Sequence, residues 1–369
     1  MTAQRPRVAL TLEQCWHEVP GGTARAALEL VDALRSRDNV AMVGIAARHN
    51  SPPAEAYRPS IPVEHVALPR LAMYESWHWL RRPLVESTTG PVDLVHATGI
   101  AVPPTKVPLV ATLHDLAFLH LPEMYTRRGN AFFRRALELT RRHAAIVCCS
   151  SLATLEDCAE AGIDRSRLRH VPLGVDIRPV TDDDRQRVRR RYGLERPFVL
   201  WTGTREPRKN LARLLDAFAR ADTGDAELVL VGPSGWHSDQ TGLDAPQPKN
   251  VRTLGFVPRD DLDALYSCAE IFCFPSLLEG FGLPVVEAMG HGTAVITSLA
   301  TSTEEVAGDA GVLIDPLDVD ALASAIESLL ADDERRARLG AAGWERAMGY
   351  TWDRCAELTE AVYAEALGR

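Results

Sequence analysis

The sequence of 369 residues has few cysteines, few aromatic residues and no long hydrophobic run. Its seven cysteines form no C-x-x-C pair, and the adjacent Cys148 and Cys149 are poorly placed to pair with each other. We therefore expect reduced, small apolar residues of a cytoplasmic protein rather than a disulfide or zinc framework. No apolar stretch approaches the roughly 18–20 residues of a membrane-spanning helix. The first one, Val8–Leu12, predicts a buried strand and not a signal peptide.

The sequence also lacks an excess of basic residues. Its net charge of −9 argues against general nucleic-acid binding, which requires a basic surface. Residues 1–177 contain 20 of the 41 Lys and Arg and 18 of the 50 Asp and Glu, which leaves 21 and 32 for the remainder. The first half is thus almost neutral and the second strongly acidic. This asymmetry supports a division near residue 177.

Short β-rich apolar runs alternate with longer segments of helical period, which is typical of doubly wound α/β domains. Because a single core stops growing at about 250–300 residues, two domains are expected. We predict an N-terminal domain of residues 1–177, a second domain of residues 178–349 and a C-terminal helix in residues 350–369. The predicted strands are 8–12, 39–45, 93–97, 109–113, 145–149, 168–171, 198–201, 227–231, 251–254, 271–274, 294–297 and 311–314.

The strongest motif is the segment 275–289, PSLLEGFGLPVVEAM. It follows a predicted buried strand, and Pro284 suits the first turn of a helix. Gly280 and Gly282 allow the backbone to turn tightly and to approach a ligand closely. The free N–H groups at the start of such a helix form a site for a diphosphate. The alternative is a glycine turn with no role in ligand binding.

Two glutamates, Glu279 and Glu287, belong to this same loop and helix. Carboxylates accept hydrogen bonds from sugar hydroxyls through both oxygens. A glycosidase would place its two carboxylates on either side of the scissile bond. Two carboxylates from one loop and helix are better suited to holding hydroxyls on one side.

A second motif, residues 200–210 (LWTGTREPRKN), lies between a predicted strand and a predicted helix. Arg205, Arg208 and Lys209 place up to three positive charges where a departing diphosphate would need them. The alternative is a basic loop that balances an acidic domain.

Weaker signals occur in the first half. Gly21 and Gly22 open the first predicted helix, although the G-x-G-x-x-G dinucleotide fingerprint is absent. His114 follows the predicted strand 109–113 and could exchange a hydrogen bond with a reacting sugar. Each signal taken alone is equally compatible with a structural role.

Taken together, the motifs resemble those of the retaining glycosyltransferases of family 4, which have the GT-B fold. The resemblance covers nearly the whole chain. The matching segments are Gly21-Gly22, His114-Asp115, Val171–Asp176, Gly203–Leu211, Val231–Pro233, Leu254–Pro258, the Glu279/Glu287 spacing and Glu305–Ala310. The last of these fits a strand followed by a loop. The resemblance implies two Rossmann-like domains facing across a cleft.

The resemblance also implies roles for individual residues. Glu287 would hold the ribose hydroxyls, and Glu279 would face the donor hexose. Lys209 would bind the diphosphate, and His114 would lie beside the sugar. His114, Lys209 and Glu279 are therefore the candidate catalytic residues. Further donor-binding positions are Gly21, Gly22, Thr204, Arg205, Arg208, Gly232, Val257, Gly280, Phe281, Gly282 and Leu283.

One position departs from the family pattern. Many members have arginine directly after the glycine of the phosphate loop, whereas this chain has Thr204. We therefore expect Arg205 or Arg208 to supply the missing charge, and the sequence leaves open which of the two. The run Asp182–Asp184 is not a metal-binding D-x-D motif in a donor loop, because it fits the first turn of a helix. No metal and no other cofactor is expected.

The implied reaction is transfer of a hexosyl group, with retention, from GDP-mannose or a UDP- or dTDP-hexose. The acceptor is a glycan, a lipid-linked sugar or a small molecule. An epimerase of the same fold and a catalytically silent sugar-nucleotide-binding protein are the alternatives. The basic, aromatic stretch Arg127–Arg142 suggests either peripheral contact with anionic lipid or a solvated helix face. The C-terminal helix is expected to cross back onto the first domain.

Overall fold

The computed structural model describes residues 5–18, 20–233 and 250–369. The segment 235–249, whose proline, serine, aspartate and glutamine residues predict a surface loop, lies outside these residues. The chain divides into two compact units. Unit 1 contains Met1–Gly174 together with Thr351–Arg369, and unit 2 contains Val175–Tyr350.

The N-terminal part of unit 1 alternates strands and helices. In chain order its elements are β1 (Arg7–Thr11), α1 (Gly21–Arg37), β2 (Ala41–Ala46), β3 (Val63–His65), α2 (Arg70–Glu75), α3 (Glu86–Thr89), β4 (Leu94–Ala97), β5 (Leu109–Leu113), α4 (Ala117–His120), α5 (Arg127–His143), β6 (Ile146–Cys149), α6 (Leu152–Glu160) and β7 (Leu168–His170). The strands form a parallel sheet in the order β3-β2-β1-β4-β5-β6-β7. The order reverses direction between β1 and β4, which is the switch point of a doubly wound sheet.

Unit 2 repeats the pattern with a second parallel sheet. Its elements are α7 (Asp182–Tyr192), β8 (Phe198–Thr202), α8 (Leu211–Arg220), β9 (Glu227–Val231), β10 (Val251–Gly255), α9 (Arg259–Cys268), β11 (Ile271–Phe274), α10 (Leu283–Gly290), β12 (Ala294–Ser298), α11 (Ser302–Ala307), β13 (Gly311–Ile314), α12 (Val319–Leu330) and α13 (Asp333–Ala347). The strand order is β10-β9-β8-β11-β12-β13. Residues of β8, β9, β11 and β12 are buried throughout, as expected of parallel strands covered on both faces.

Helix α7 shows how local sequence sets an element's bounds. Thr181 and Asp184 form a capping box at its N-terminus, and the first turn carries three aspartates. Three arginines occupy its last turn, and Gly193 ends it in the left-handed conformation. The aspartate run therefore serves the helix start in the described structure.

The last helix, α14 (Trp352–Ala366), belongs to unit 1. It packs against α1, β5 and β6. Tyr363 is 1% exposed, and its hydroxyl lies 2.7 Å from Nδ1 of His96 on β4. The core on this side of the first sheet is thus assembled from both ends of the chain.

The chain leaves unit 1 and returns to it through adjacent segments. A Cβ on Gly174 would lie 2.2 Å from the backbone nitrogen of Trp352, so only glycine permits this approach. One residue further on, the Val175 N–H donates to the carbonyl of Tyr350 over 2.9 Å.

Several elements differ from the sequence-based predictions. The prediction of a strand and loop for Glu305–Ala310 is wrong, because Glu305 to Ala307 end α11 and Gly308–Ala310 form a 3-10 turn before β13. Threonine at the N-cap and glutamates in the first turn favour the helix. The helical period of the sequence predicts a helix over 131–142, but α5 begins four residues earlier, because the side chain of Thr126 caps it. Among the described helices, none is long and apolar enough to cross a membrane.

Candidate functional site

The candidate donor site of unit 2 is built on loops that follow β8, β9 and β10. The N–H of Gly203 donates to Val231 O over 2.9 Å, and that of Gly232 donates to Gly255 O over 2.8 Å. A Cβ on Gly232 would lie 1.9 Å from the carbonyl oxygen of Gly203. Gly232 is therefore required for the close packing of the first two loops.

A buried cluster of charges joins the loop after β8 to the loop after β11. Lys209 Nζ lies 2.6 Å from Oε1 of Glu279, and a guanidinium nitrogen of Arg208 lies 3.1 Å from Oε2. Ser276 also donates its hydroxyl to Glu279. The side chains of Lys209, Arg208 and Glu279 are 11%, 15% and 9% exposed. The structure thus brings together three of the residues that the sequence singled out.

The charge state of Glu279 follows from these contacts. Burial alone would raise the pKa of its carboxyl group. The charges of Arg208 and Lys209, with the hydrogen bonds from Lys209 and Ser276, outweigh burial and lower the pKa to about 2. Glu279 is consequently an anion that holds both cations in place.

Glu206 is a second buried carboxylate in this cluster, and the sequence analysis did not single it out. Its Oε1 accepts a hydrogen bond from Arg208 over 2.8 Å, while its Oε2 is buried without a hydrogen-bond partner. Burial raises the pKa of Glu206, although Arg208 and Lys209 oppose the shift. Arg208 therefore bridges two carboxyl groups. The sequence signal was the position of Glu206 within the basic motif itself.

The glycine-rich loop leads directly into α10. Gly282 is the N-cap residue of α10 and has a φ of 101°, a left-handed value that favours glycine. The loop is fixed by Arg208, which donates to Leu278 O over 2.6 Å, and by Ser302, which donates to Glu279 O over 2.8 Å. The helix start, which includes the predicted donor contacts Gly280, Phe281, Gly282 and Leu283, thus lies beside the charge cluster.

Glu287 lies on α10 and is 6% exposed. Arg259 donates to its Oε1 over 2.6 Å, and the hydroxyl of Tyr266 donates to its Oε2 over 3.1 Å. Arg259 also pairs with Asp263 at 2.9 Å. Burial would lower the pKa of Arg259, but the charges of Glu287 and Asp263 raise it instead.

Sequence reasoning missed these partners of Glu287. The available signal was spacing. On α9, Asp263 lies four residues and Tyr266 seven residues after Arg259, so the three side chains share one helix face. Arg259 also follows directly after the motif Leu254–Pro258.

The remaining predicted donor residues of unit 2 lie in the same loops. Thr204 and Arg205 follow Gly203 and are half-buried, and the N–H of Arg205 donates to Pro233 O over 3.1 Å. Val257 is buried, whereas the neighbouring Phe256 is 77% exposed. Arg205 and Arg208 therefore both line this part of the unit, and Arg208 is the one that pairs with Glu279.

Three predicted residues belong to unit 1. Gly21 and Gly22 are the first two residues of α1, both exposed, and Gly21 has a φ of 65°. His114 follows β5 and is half-buried, and its Nε2 has no hydrogen-bond partner. Burial lowers the pKa of His114, although Asp115 and a backbone hydrogen bond at Thr98 oppose this. His114 is thus a neutral imidazole at neutral pH.

In the part of the chain that the structure describes, no group of three or more His, Cys, Asp and Glu side chains is arranged to hold a metal ion.

Two family models match the chain. The model described as Glycosyltransferase Family 4 matches residues 20–178, and the model described as Glycosyl transferases group 1 matches residues 182–346. The first match ends four residues beyond Gly174, the last residue of the N-terminal part of unit 1, and the second match lies within unit 2.

Relatives with curated names are also similar. O-antigen chain mannosyltransferase B of Escherichia coli is 31% identical over 285 residues, which are 73% of this chain and 74% of that protein. MMP alpha-(1->4)-mannosyltransferase of Mycolicibacterium hassiacum is 31% identical over 307 residues, 76% of this chain and 72% of the relative. A GDP-mannose-dependent monoacylated alpha-(1-6)-phosphatidylinositol monomannoside mannosyltransferase of Corynebacterium glutamicum is 26% identical over 340 residues, 85% of this chain and 87% of the relative.

Solved structures share the fold. Anabaena HepE in complex with UDP and glucose has a TM-score of 0.76 at 20% identity, and the match covers 98% of this chain and 100% of HepE. Sucrose-phosphate synthase from Thermosynechococcus elongatus has a TM-score of 0.78 at 22% identity and covers 99% and 100% of the two chains. Matched family models on both units, relatives at 31% identity and this fold lead to one assignment. The chain belongs to the family 4 (group 1) glycosyltransferases and has their GT-B fold of two doubly wound α/β domains.

Proposed function

We propose that this glycosyltransferase transfers a mannosyl group from GDP-mannose, with retention of the anomeric configuration and without a metal ion. Support for the sugar comes from the curated relatives, of which several are named mannosyltransferases and one is named GDP-mannose-dependent. A glycan, a lipid-linked sugar or a small molecule bearing a hydroxyl group is the acceptor class.

The observation that carries the proposal is the charge cluster of Lys209, Arg208 and Glu279 beside the start of α10. The cations Lys209 and Arg208 stand beside a helix N-terminus, which itself favours anions. The leaving group of a nucleotide sugar is a diphosphate whose negative charge grows as the glycosidic bond breaks. Fixed cations stabilise that charge without reorganisation. This arrangement suits departure of a nucleoside diphosphate.

In the proposed reaction the side chains take the place of a divalent metal. Lys209 and one of Arg205 and Arg208 offset the diphosphate charge, and Glu279 keeps the cations oriented while it faces the donor hexose. On this proposal EDTA leaves the transfer rate unchanged.

Residues outside the charge cluster also have proposed roles. Glu287 is held by Arg259 and Tyr266, and its carboxylate group is of the type that accepts hydrogen bonds from ribose hydroxyls. His114 is kept neutral by burial, so its imidazole can exchange a hydrogen bond with a sugar hydroxyl. Gly21 and Gly22 leave room for a ligand, because a Cβ added at either glycine would meet no atom within 4 Å.

The donor is tested by thermal unfolding of the purified chain with GDP, UDP, dTDP or ADP, with and without EDTA. A ligand that binds only the native state at 100 times its Kd adds about 2.7 kcal/mol of stability. We expect GDP alone to raise the unfolding temperature clearly, with or without EDTA. The shift should be lost in Lys209→Met and kept in Arg220→Met, a surface arginine of α8 paired with Asp216. A response to UDP or dTDP in place of GDP would contradict the assigned donor.

Activity is tested with radiolabelled GDP-mannose and a panel of acceptors. Transfer to an acceptor, absent in Lys209→Met, supports a transferase. Conversion of the donor to an isomeric sugar nucleotide without an acceptor would instead identify an epimerase. Binding of GDP-mannose without turnover on any acceptor, and without slow hydrolysis, would identify a silent binding protein.

A further inference from the structure

A helical segment of unit 1, residues 70–80, exposes three large apolar side chains, together with the charged Glu75. It consists of α2 and the π-helical turn Ser76–Leu80 that continues it. On the inner side Met73 and Trp77 are 0% and 1% exposed. On the outer side Leu71, Trp79 and Leu80 are 59%, 64% and 72% exposed. A surface helix in water normally exposes polar side chains, whereas three of the exposed side chains here are large and apolar.

The basic helix α5 lies directly beside this segment. The guanidinium carbon of Arg135 is 4.9 Å from the ring centroid of Trp79, and its Nε donates to His78 O over 3.2 Å. Nearer the start of α5, Arg128 pairs with Glu75 at 3.1 Å. These contacts place the basic and apolar faces next to each other.

Helix α5 has a strong excess of positive charge. Its 17 residues contain six arginines and one glutamate, a formal charge of +5 in a chain whose net charge is −9. The exposed arginines are Arg127, Arg128, Arg134, Arg141 and Arg142. With Leu71, Trp79 and Leu80 they form what we call the basic–apolar surface.

We propose that the basic–apolar surface docks on the surface of an anionic phospholipid bilayer. Tryptophan is favoured at the boundary between headgroups and acyl chains, and leucine side chains insert just below it. Arginines beside them pair with lipid phosphates, and each basic residue near an anionic membrane strengthens binding. The overall negative charge of the chain opposes this only weakly, because charges beyond about 8 Å are screened at physiological ionic strength.

A bilayer explains both halves of the surface at once. An apolar contact alone would fit a protein partner or a second copy of the chain. An arginine stripe along one edge of that contact has no complement in a second copy of the same basic surface, since like charges would then face each other. The proposal does not depend on the donor, the acceptor or the charge cluster of unit 2.

The test is co-sedimentation of the full chain with vesicles of phosphatidylcholine alone and of phosphatidylcholine mixed with phosphatidylglycerol. We expect binding to the mixed vesicles only, and weaker binding at high salt. The variant Arg127→Gln/Arg134→Gln should lower the partition coefficient about thirtyfold, since it removes two surface charges. Trp79→Ser/Leu80→Ser should lower it at least tenfold at any salt concentration.

Two variants of unit 2 serve as matched controls. Trp344→Ser changes another exposed tryptophan, 50% exposed, and Arg338→Gln changes another exposed arginine. Both should bind mixed vesicles like the unaltered chain, and circular dichroism should show that every variant folds. No binding to mixed vesicles, or equal losses in test and control variants, would overturn the proposal. The proposal would also be overturned if the chain did not bind vesicles but formed a concentration-dependent dimer, and if Trp79→Ser/Leu80→Ser abolished that dimer.

Discussion

At the scale of single residues, Glu279 and Glu206 show how local partners set the charge of a buried carboxyl group. Both lie within reach of Arg208 and both are largely buried. Glu279 has two cations and a serine hydroxyl as partners, and its pKa falls to about 2. Glu206 has one cation and an unpaired oxygen, and burial raises its pKa. One cluster thus contains a firmly ionised carboxylate and one that is easier to protonate.

The depressed pKa of Glu279 predicts part of the acid sensitivity of the protein. A carboxylate with a lowered native pKa stabilises the fold above its unfolded value near 4.5, and this stabilisation is lost as the pH falls towards 2. The shift corresponds to about 3 kcal/mol. Urea unfolding followed from pH 6 downward should therefore show a steeper loss of stability in the unaltered chain than in Glu279→Gln.

Glu334→Gln provides the control, because the side chain of Glu334 is 92% exposed. It should reproduce the pH dependence of the unaltered chain. Parallel curves for the unaltered chain and Glu279→Gln would mean that the ion cluster does not depress the pKa of Glu279 in solution.

Sequence reasoning selected Lys209, Arg208, Glu279 and Glu287 because their motifs are contiguous in the chain and their residue types suit the chemistry. It did not find Arg259 as the partner of Glu287, since spacing on α9 shows only that Arg259, Asp263 and Tyr266 share a face. Which residue that face contacts, 28 positions further along the chain, depends on the packing of α9 against α10. Their roles toward a ligand stay predictions. The sequence thus indicates which residues are close along the chain, but not which residues are brought together by the packing of two helices.

At the scale of elements, buried parallel strands were predicted within one or two residues because they are continuous apolar runs. Strands β5, β9, β11 and β13 have the predicted bounds. The short strand β3 was not predicted, because only its first residue is apolar and two of its three residues are exposed. The helical segment 70–80 was not predicted, because it has apolar residues on its exposed side as well as on its buried side and therefore lacks a helical periodicity of apolar residues. Pattern-based prediction thus failed where pattern and burial disagree.

The start of α10 depends on Gly282, which is its N-cap residue. Its φ of 101° is strained for other residues, and a Cβ would lie 2.7 Å from the Cγ2 methyl of Thr303. We predict that Gly282→Ala costs about 2–3 kcal/mol, from the left-handed backbone conformation and this overlap together. Nucleotide affinity should fall as well, because the helix start moves. Denaturant unfolding and calorimetric titration with GDP measure the two effects.

Gly292, just after α10, is the matched control. It also has a positive φ, 73°, but a Cβ there would meet nothing within 4 Å. Gly292→Ala should cost only about 1 kcal/mol and leave GDP affinity unchanged. Equal losses of affinity in the two variants would show that the loop does not act through the position of the α10 start.

At the scale of the whole molecule, unit 1 is discontinuous in sequence. Its sheet comes from the first 174 residues, and α14 completes its core from the other end of the chain. Cys355, Ala356, Val362 and Tyr363 are each at most 4% exposed on that helix. The family matches end at residue 346 and so stop before this helix. The completed core of unit 1 therefore requires the last residues of the chain.

The hydrogen bond between Tyr363 and His96 is a buried polar contact between α14 and the sheet. His96 is 1% exposed, and its Nε2 lies 2.8 Å from Thr112 Oγ1. Burial, with a smaller contribution from His114, lowers the pKa of His96 to about 3, so the ring stays neutral in the fold. Tyr363→Phe leaves one ring nitrogen buried without a partner, and we predict a loss of about 1–3 kcal/mol in the free energy of unfolding.

Tyr57→Phe removes the same hydroxyl group from a half-buried tyrosine at the edge of this core and should cost much less. Both variants should keep GDP binding, because the charge cluster belongs to unit 2. The double variant Tyr363→Phe/His96→Leu tests the cause, since it removes both partners and no longer leaves a buried nitrogen unpaired. The loss in the free energy of unfolding is compared with the sum of the losses in Tyr363→Phe and His96→Leu. If the double variant loses more than that sum, the hydrogen bond is not the source of the loss.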